Sequence, residues 1–252
     1  YTFMTNTVGT LAVLEASKHC ESVKSVICIT SDKVYENKDN IWPYRETDQL
    51  GGKDIYSVSK SSAELIASSY ARTHLCDKEI NIQTVRLGNV VGGGDWSINR
   101  LIPDLMNSIE KDTNFYVRYP NATRPFQHVL DVVEGVCNIS EASINNKIKS
   151  GDCWNLGPKD NSYEKVSTVI DVCKEIWPDV RILANENNIK EDMTLSVDVS
   201  KLKVTFGEPK YNSKNAIKKT FTWYKDYLEN KYSLIELIEK EFEVYEDKNE
   251  SI

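Results

Sequence analysis

None of the six cysteines (Cys20, Cys28, Cys76, Cys137, Cys153, Cys173) forms a C-x-x-C pair, and the three histidines (His19, His74, His128) show no metal-ligand spacing. A structural zinc site and a disulfide framework therefore have no support. Cys28, Cys137 and Cys173 fall among apolar neighbours and read as buried free thiols, which a reducing cytosol preserves. No apolar run approaches the roughly 20 residues that a membrane helix needs. No secretory leader is visible, although the chain opens on Tyr1 and not on Met. Neither G-x-G-x-x-G nor a Walker pattern occurs, and there is no internal repeat or low-complexity stretch. The net charge of −7 argues against a general nucleic-acid binder.

What is present is a chain of 252 residues, 40% hydrophobic and 27% charged, enough for one large domain or one and a half ordinary ones. Apolar stretches at Val23–Ile29 and Ile80–Leu87 read as buried parallel strands. Helices are expected over Val8–Ala16, from Ile55 to about Leu75, from Leu101 to Glu110, from Leu130 to Ala142, over Val166–Trp177 and over Ala216–Leu228. Phe115–Tyr119, Cys153–Leu156, Arg181–Leu183 and Leu195–Val197 read as short strands, and Asp198-Val199-Ser200 as the cap of a short helix. The polar stretch from Glu36 to Lys53 is long for a connector and suits a substrate lid. Gly92-Gly93-Gly94 after a strand would let backbone approach a ligand closely. From Lys231 onward the chain reads as a charged amphipathic helix that frays.

The first strand ends in Thr30-Ser31-Asp32-Lys33, at the edge where an open α/β sheet carries its chemistry. Tyr56 and Lys60 are four residues apart, hence one turn apart on one helical face. An ammonium near a phenol favours the phenolate, which can take a proton from a sugar hydroxyl while a hydride leaves the same carbon.

Ser31 followed by Tyr56-x-x-x-Lys60 resembles the extended short-chain dehydrogenase/reductase family of nucleotide-sugar enzymes. Thr5-Asn6, Arg86-Leu87-Gly88-Asn89-Val90 and Arg124-Pro125-Phe126-Gln127-His128-Val129 fall in the order that family shows. The resemblance runs from the first residue to about Tyr227. It implies an α/β fold, a Rossmann-like parallel sheet that is N-terminally incomplete, with a small C-terminal α/β substrate lobe. Residues 1–91 would be the end of the NAD-binding part, 92–230 mainly the substrate lobe with some segments returning to the sheet, and 231–252 a helical tail.

Within the family, Thr30-Ser31-Asp32-Lys33-Val34-Tyr35-Glu36-Asn37, Gly92-Gly93-Gly94-Asp95-Trp96 and Thr123-Arg124-Pro125 are similar to the 4,6-dehydratases that act on CDP-glucose. Epimerases of the family lack an acid–base pair after the serine, and remain the alternative, as does a non-catalytic fragment that needs a partner chain. The resemblance implies NAD as cofactor and a lyase step of deoxysugar biosynthesis, of the kind that feeds lipopolysaccharide O-antigen. It makes Tyr56 the base at O4 and Ser31 a hydrogen-bonding partner of that oxygen. Lys60 would support Tyr56 and bind the nicotinamide ribose, Asp32 would protonate the departing O6, and Lys33, made neutral by burial, would take the C5 proton. Thr30 and Asn89 would touch the cofactor, and Asn89, Arg100, Leu101 and Arg124 the nucleotide sugar. Asn89 can equally be a turn residue and Arg124 a surface ion pair. Trp42 and Trp96 either stack on the ligand or fill the core, and His128 reads as a packed, hydrogen-bonded histidine. Arg86, Arg100, Arg118 and Arg124 would make a local positive site for an anionic substrate in an acidic chain.

The family's opening strand, glycine-rich turn and helix are not found, so the resemblance implies that roughly three βαβ units, each of about 30 residues or more, precede this stretch in a whole enzyme. Val23–Ile29 and Ile80–Leu87 would then have lost their neighbours on one side, leaving a hydrophobic sheet edge open, and NAD would bind this chain weakly. A homodimer or higher homo-oligomer is expected through the Val8–Ala16 and Ile55–Leu75 helices, which carry apolar residues beyond one stripe (Val13, Ile66, Tyr70).

Overall fold

The computed structural model describes residues 1–73, 79–184 and 194–247. A π-helical turn, Met4–Val8, leads into α1 (Gly9–Ser17), β1 (Ser25–Ile29) and a 3₁₀ turn at Asp32–Val34. Then follow α2 (Ile55–Thr73), β2 (Asn81–Leu87), β3 (Asn89–Val91), α3 (Leu101–Glu110) and β4 (Phe115–Val117). The chain continues through β5 (Thr123–Arg124), β6 (Phe126–His128), α4 (Val129–Ile144), β7 (Asp152–Leu156), β8 (Glu164–Lys165) and α5 (Val166–Ile176). It closes with β9 (Ile182–Ala184), α6 (Ser200–Phe206), α7 (Ser213–Leu228) and α8 (Leu234–Glu246). Leu75, the expected end of α2, lies outside the described residues. None of the described helices is long and apolar enough to cross a membrane.

β1, β2 and β7 form a parallel sheet in the order β1-β2-β7, with Ser25 opposite Asn81 and Gln83 opposite Asp152. β2 is buried along its first six residues, as a central strand should be. β1 was expected to be equally buried but is half-buried, with Ile29 exposed, because among the described residues it has a sheet neighbour on one side only. Three small pairs stand apart from this sheet: β3 with β6 and β4 with β9, both parallel, and β5 with β8, antiparallel.

The sheet packs on α1 and α2 through Leu14, Ala67, Ala71, Ile80 and Ile82. A larger core behind β3 and β6 gathers Leu105, Met106, Phe126, Val169, Phe221 and Tyr224. α3 enters that core because Ile102, Leu105 and Met106 fall on one face, and Pro103 sits in the first turn, where its missing N–H is harmless. Of the cysteines, Cys173 is buried and Cys28 half-buried, but Cys137 lies on the outer side of α4 and is exposed, contrary to expectation.

Other expectations need correction. The Leu195–Val197 stretch makes isolated bridges, Thr194 with Thr123 and Val197 with Tyr44, not a strand. α6 begins at Ser200 with Val199 in the cap position, and Asp198 Oδ1 accepts the Ser200 N–H from one residue earlier. The tail is docked up to Glu246. Ser233 and Glu236 form a capping box, Leu237 is buried, and Asp226 on α7 pairs with Lys231 and Lys240 at 3.1 Å each. Lys210 Nζ closes the other end of α8 on the carbonyls of Val244, Tyr245 and Asp247.

Candidate active site

A cleft of about 780 Å³ opens at the C-terminal ends of β1 and β2. Its lining includes Thr30, Ser31, Asp32, Lys33, Tyr56, Lys60, Asn89, Arg100, Leu101 and Arg124, the ten residues that the resemblance assigned to catalysis, cofactor and nucleotide sugar. The volume falls within the range of small-molecule sites. Each residue arrives for a local reason. β1 ends at Ile29, and the 3₁₀ turn at Asp32–Val34 folds back as Ser31 Oγ accepts the Lys33 N–H at 3.2 Å. α2 presents Tyr56, 41% exposed, and Lys60 one turn later, whose Nζ donates to the Ile29 carbonyl at 3.1 Å. Asn6 Nδ2 donates to Ser59 Oγ and Thr7 Oγ1 to the Ser59 carbonyl, which fastens the N-terminal turn to α2 between those two residues.

Asp32 is fully buried. Ser31 Oγ donates to its Oδ1 at 3.0 Å, while Oδ2 has no hydrogen-bond partner among the described residues. Burial pushes the carboxyl up to about 6, against the Ser31 hydrogen bond and the charges of Lys33 and Arg124, which act the other way. A carboxylic acid of this kind holds a proton into the near-neutral range and has an oxygen free to deliver it. Burial also lowers Lys60 from its ordinary value, since desolvation disfavours the ammonium.

Lys33 is half-buried and lies near two carboxyls, Asp32 and Asp54. Burial works against ionised Asp54, yet hydrogen bonds from Ser57 and the Lys33 charge hold it below its usual range.

Arg124 is buried, with Nη1 on the Thr123 carbonyl at 2.7 Å, so it is not a surface ion pair. Arg100 is exposed and reaches Asp95 at 3.4 Å. Asn89 is exposed on β3, and Leu101 opens α3. Arg118 also lines the cleft, whereas Arg86 does not. Arg86 is buried against Glu64, so the positive site consists of Arg100, Arg118 and Arg124.

Gly92 lines the cleft, and the glycine run also serves packing. A Cβ on Gly93 would stand 2.0 Å from Trp223 Cδ2, and one on Gly92 2.5 Å from Val129 Cγ1. Trp96 packs edge-on against Tyr224, and neither it nor exposed Trp42 lines the cleft. No residue of Glu36–Lys53 lines it either. That loop is anchored instead: Glu36 N–H on the Gln49 carbonyl, Gly51 N–H on the Val34 carbonyl, Tyr44 N–H on the Ser196 carbonyl, and Tyr44 stacked on Tyr35 at 5.0 Å. His128 is buried and caps α4 by accepting the Leu130 N–H at Nδ1; its Nε2 lies 3.0 Å from Glu241, out of line for a hydrogen bond. Sequence reasoning missed Glu64, although it lies four residues after Lys60 on the same face, and Phe115, Tyr116 and Tyr119, which bring aromatic surface to the cleft.

The chain is similar to known proteins. Residues 1–157 match the NAD dependent epimerase/dehydratase family. CDP-glucose 4,6-dehydratase of Salmonella typhimurium is 34% identical over 242 residues, covering 93% of this chain and 67% of that enzyme. Among solved structures, the dTDP-glucose 4,6-dehydratase of Bacillus anthracis in complex with NAD superimposes with a TM-score of 0.74 at 22% identity, covering 90% of this chain and 70% of that one. A UDP-galactose 4-epimerase superimposes with a TM-score of 0.73 at 22% identity, covering 92% and 72%. The fold is thus that of the Rossmann-type dehydratases and epimerases. The chain belongs to the NAD dependent epimerase/dehydratase family.

The residues at hand fit one end of that cofactor. Tyr56 and Lys60 stand beside the open end of β1, where exposed Ile29 leaves room for a nicotinamide ribose. The Gly92–Gly94 run, filled by Trp223 and Val129, gives no cradle for a pyrophosphate.

Proposed function

We propose that the protein dehydrates CDP-glucose to its 4-keto-6-deoxy derivative, a step of deoxysugar biosynthesis of the lipopolysaccharide O-antigen type. The observation that carries this reading is Asp32: a buried acid, raised to about 6, with one oxygen unpaired, in the same cleft as Tyr56 and Lys60. An epimerase has no leaving group to protonate and no use for such an acid. The 34% identity to the Salmonella CDP-glucose enzyme supports the cytidine nucleotide. The five cysteines of the described residues are all free, which suits a cytosolic location.

NAD, when bound, would supply the hydride acceptor for C4 and, after elimination, the donor for C6. Tyr56 takes the O4 proton as the C4 ketone forms, and Ser31 hydrogen-bonds the same oxygen. Lys60, one helical turn away, offers positive charge to the oxyanion form of Tyr56 that accepts this proton. The C4 ketone makes the C5 proton acidic. Lys33 takes that proton, Asp32 gives its own to O6, and the C6–O bond breaks with loss of water. Asp32 and Lys33 work as one unit. Burial holds a proton on the Asp32 carboxyl, and Lys33 lies beside it to take the proton from C5. Arg124, with Arg100 and Arg118, meets the diphosphate; the planar fork of arginine suits its oxygens. A second copy pairs through α1 and α2, where Val13 and Leu65 stand 59% and 58% exposed.

Lys33→Met in the NAD-loaded protein tests the reading. Given CDP-glucose in a single turnover, it is expected to accumulate reduced cofactor and a 4-keto sugar that keeps its C6 hydroxyl, elimination being slowed about 10²–10⁴-fold. Normal turnover with loss of water would remove Lys33 from the mechanism. Inversion at C4 without loss of water would make the protein an epimerase.

A further inference from the structure

Tyr56, Lys60 and Glu64 recur every four residues along α2 and so share one face at successive turns. The first two line the cleft; Glu64 lies deeper and is buried. A buried carboxylate requires a partner, and Arg86 on β2 supplies it: Nε lies 2.8 and 3.1 Å from the two carboxylate oxygens, and Nη2 also donates to Oε1. The pair then reaches outward in two directions. The Thr30 hydroxyl is shared between Glu64 Oε2 and the Val85 carbonyl on β2, at 3.2 Å each. Arg86 Nη1 donates to Tyr35 Oη at 2.7 Å and to the Glu46 carbonyl at 3.1 Å, and the guanidinium lies over the Tyr35 ring at 4.7 Å.

Thr30 immediately precedes Ser31-Asp32-Lys33, and Tyr35 follows two residues after it. The turn that carries the hydroxyl, acid and amine is therefore clamped at both ends by one ion pair. That pair is fixed to the helix that carries the phenol and the second amine. A buried ion pair is a poor device for stability alone, since well-packed apolar side chains of similar volume often serve as well. It is a good device for register, because its hydrogen bonds are directional and each reaches a different segment.

We propose that Glu64 and Arg86 are positioning residues that set the spacing between Tyr56/Lys60 on α2 and the Ser31–Asp32–Lys33 turn. They act through Thr30 and Tyr35 and touch no substrate. The kinetic consequence rests on the dehydratase reading; the structural consequence does not.

Glu64→Gln, which keeps size and removes charge, is the test. Amide exchange on the protein without substrate is expected to quicken at least tenfold at Lys33, Val34 and Tyr35, whose N–H groups bond Ser31 Oγ, the Ser31 carbonyl and the Asp32 carbonyl. The amides of Ile82–Val85 should keep their protection. In the loaded enzyme kcat is expected to fall about 10–100-fold with KM for the nucleotide sugar within about twofold, the signature of misplaced groups. Unchanged exchange in the turn overturns the proposal, whatever the substrate proves to be. Quickened exchange with kcat unchanged overturns the positioning role while leaving the dehydratase reading intact. If the turn and β2 lose protection together, Tyr35→Phe decides, because it withdraws only the arm to the loop. Quickened turn amides over an intact β2 then sustain the clamp, and unchanged ones refute it.

Discussion

Ser31 donates its hydroxyl to Asp32 Oδ1 at 3.0 Å, and that single bond is the polar support a fully buried carboxyl receives from a neighbouring side chain. Its stability consequence has a definite sign. The ordinary value is 3.8, and burial, the largest influence, pushes it to about 6. Between those values the native state keeps a proton that the unfolded chain has lost. Stability therefore falls as pH rises from about 4 to about 6 and is level above. The ionised form costs the fold on the order of 3 kcal/mol. Asp32→Asn is expected to match the parent near pH 4 and to exceed it by roughly that amount at pH 7, read from urea midpoints. An offset that does not change with pH would show that Asp32 ionises as freely in the fold as out of it.

Gly93 and Gly94 are adjacent but should respond differently to alanine. At Gly93 the new Cβ meets the Trp223 ring at 2.0 Å, so the indole or the backbone must move. Overpacking of this kind costs about 1–3 kcal/mol. At Gly94 the Cβ meets the same ring at 3.6 Å, an ordinary contact, and the penalty is the positive φ of 81°, about 1 kcal/mol. Thermal unfolding should place Gly93→Ala below Gly94→Ala; the reverse order would mean that Trp223 has space to retreat.

The outer faces of α1 and α2 make an oligomer prediction. Val13→Glu with Leu65→Glu puts like charges where α1 and α2 now expose aliphatic surface. On the proposed pairing these charges repel and lose water, so sedimentation of the whole protein is expected to show a monomer. Ile66 and Tyr70 are not part of this surface. Both pack on the α1–α2 core, and Tyr70 Oη donates to Glu15 at 2.8 Å. A dimer that survives both substitutions would place the interface elsewhere.

Lys210 is expected to hold the last turn of α8. Its ammonium meets three carbonyls at that end, those of Val244, Tyr245 and Asp247, at 2.7–3.0 Å. Lys210→Met keeps the stem and removes the donors, and a charged hydrogen bond of this kind is worth about 1.5–3 kcal/mol. Exchange of the Val244, Tyr245 and Asp247 amides should quicken accordingly while Leu237 keeps its protection. Equal exchange would mean that Tyr245, bonded to Asp131 and Glu134, suffices to dock the tail.

The sequence by itself determined what depends on near neighbours. The helical period put Tyr56 and Lys60 on one face, and apolar runs marked β1 and β2. The end of β1 located Ser31, Asp32 and Lys33, and the bounds of α3, α5 and α7 fell within a few residues of where the structure has them. Such features arise from backbone geometry within about ten residues, so they can be read before the chain is folded. Tertiary structure alone decided the rest. Four arginines looked alike in sequence, and only folding, which brings Glu64 to Arg86 across 22 positions, removed one from the cleft. The glycine run looked open to a ligand until Trp223, some 130 residues on, filled it. The loop after Glu36 looked mobile until Ser196 and Asp198 took its backbone hydrogen bonds. In each case the outcome depends on which distant group satisfies a buried charge, fills a void or pairs an amide, and no local period in the sequence encodes that partner.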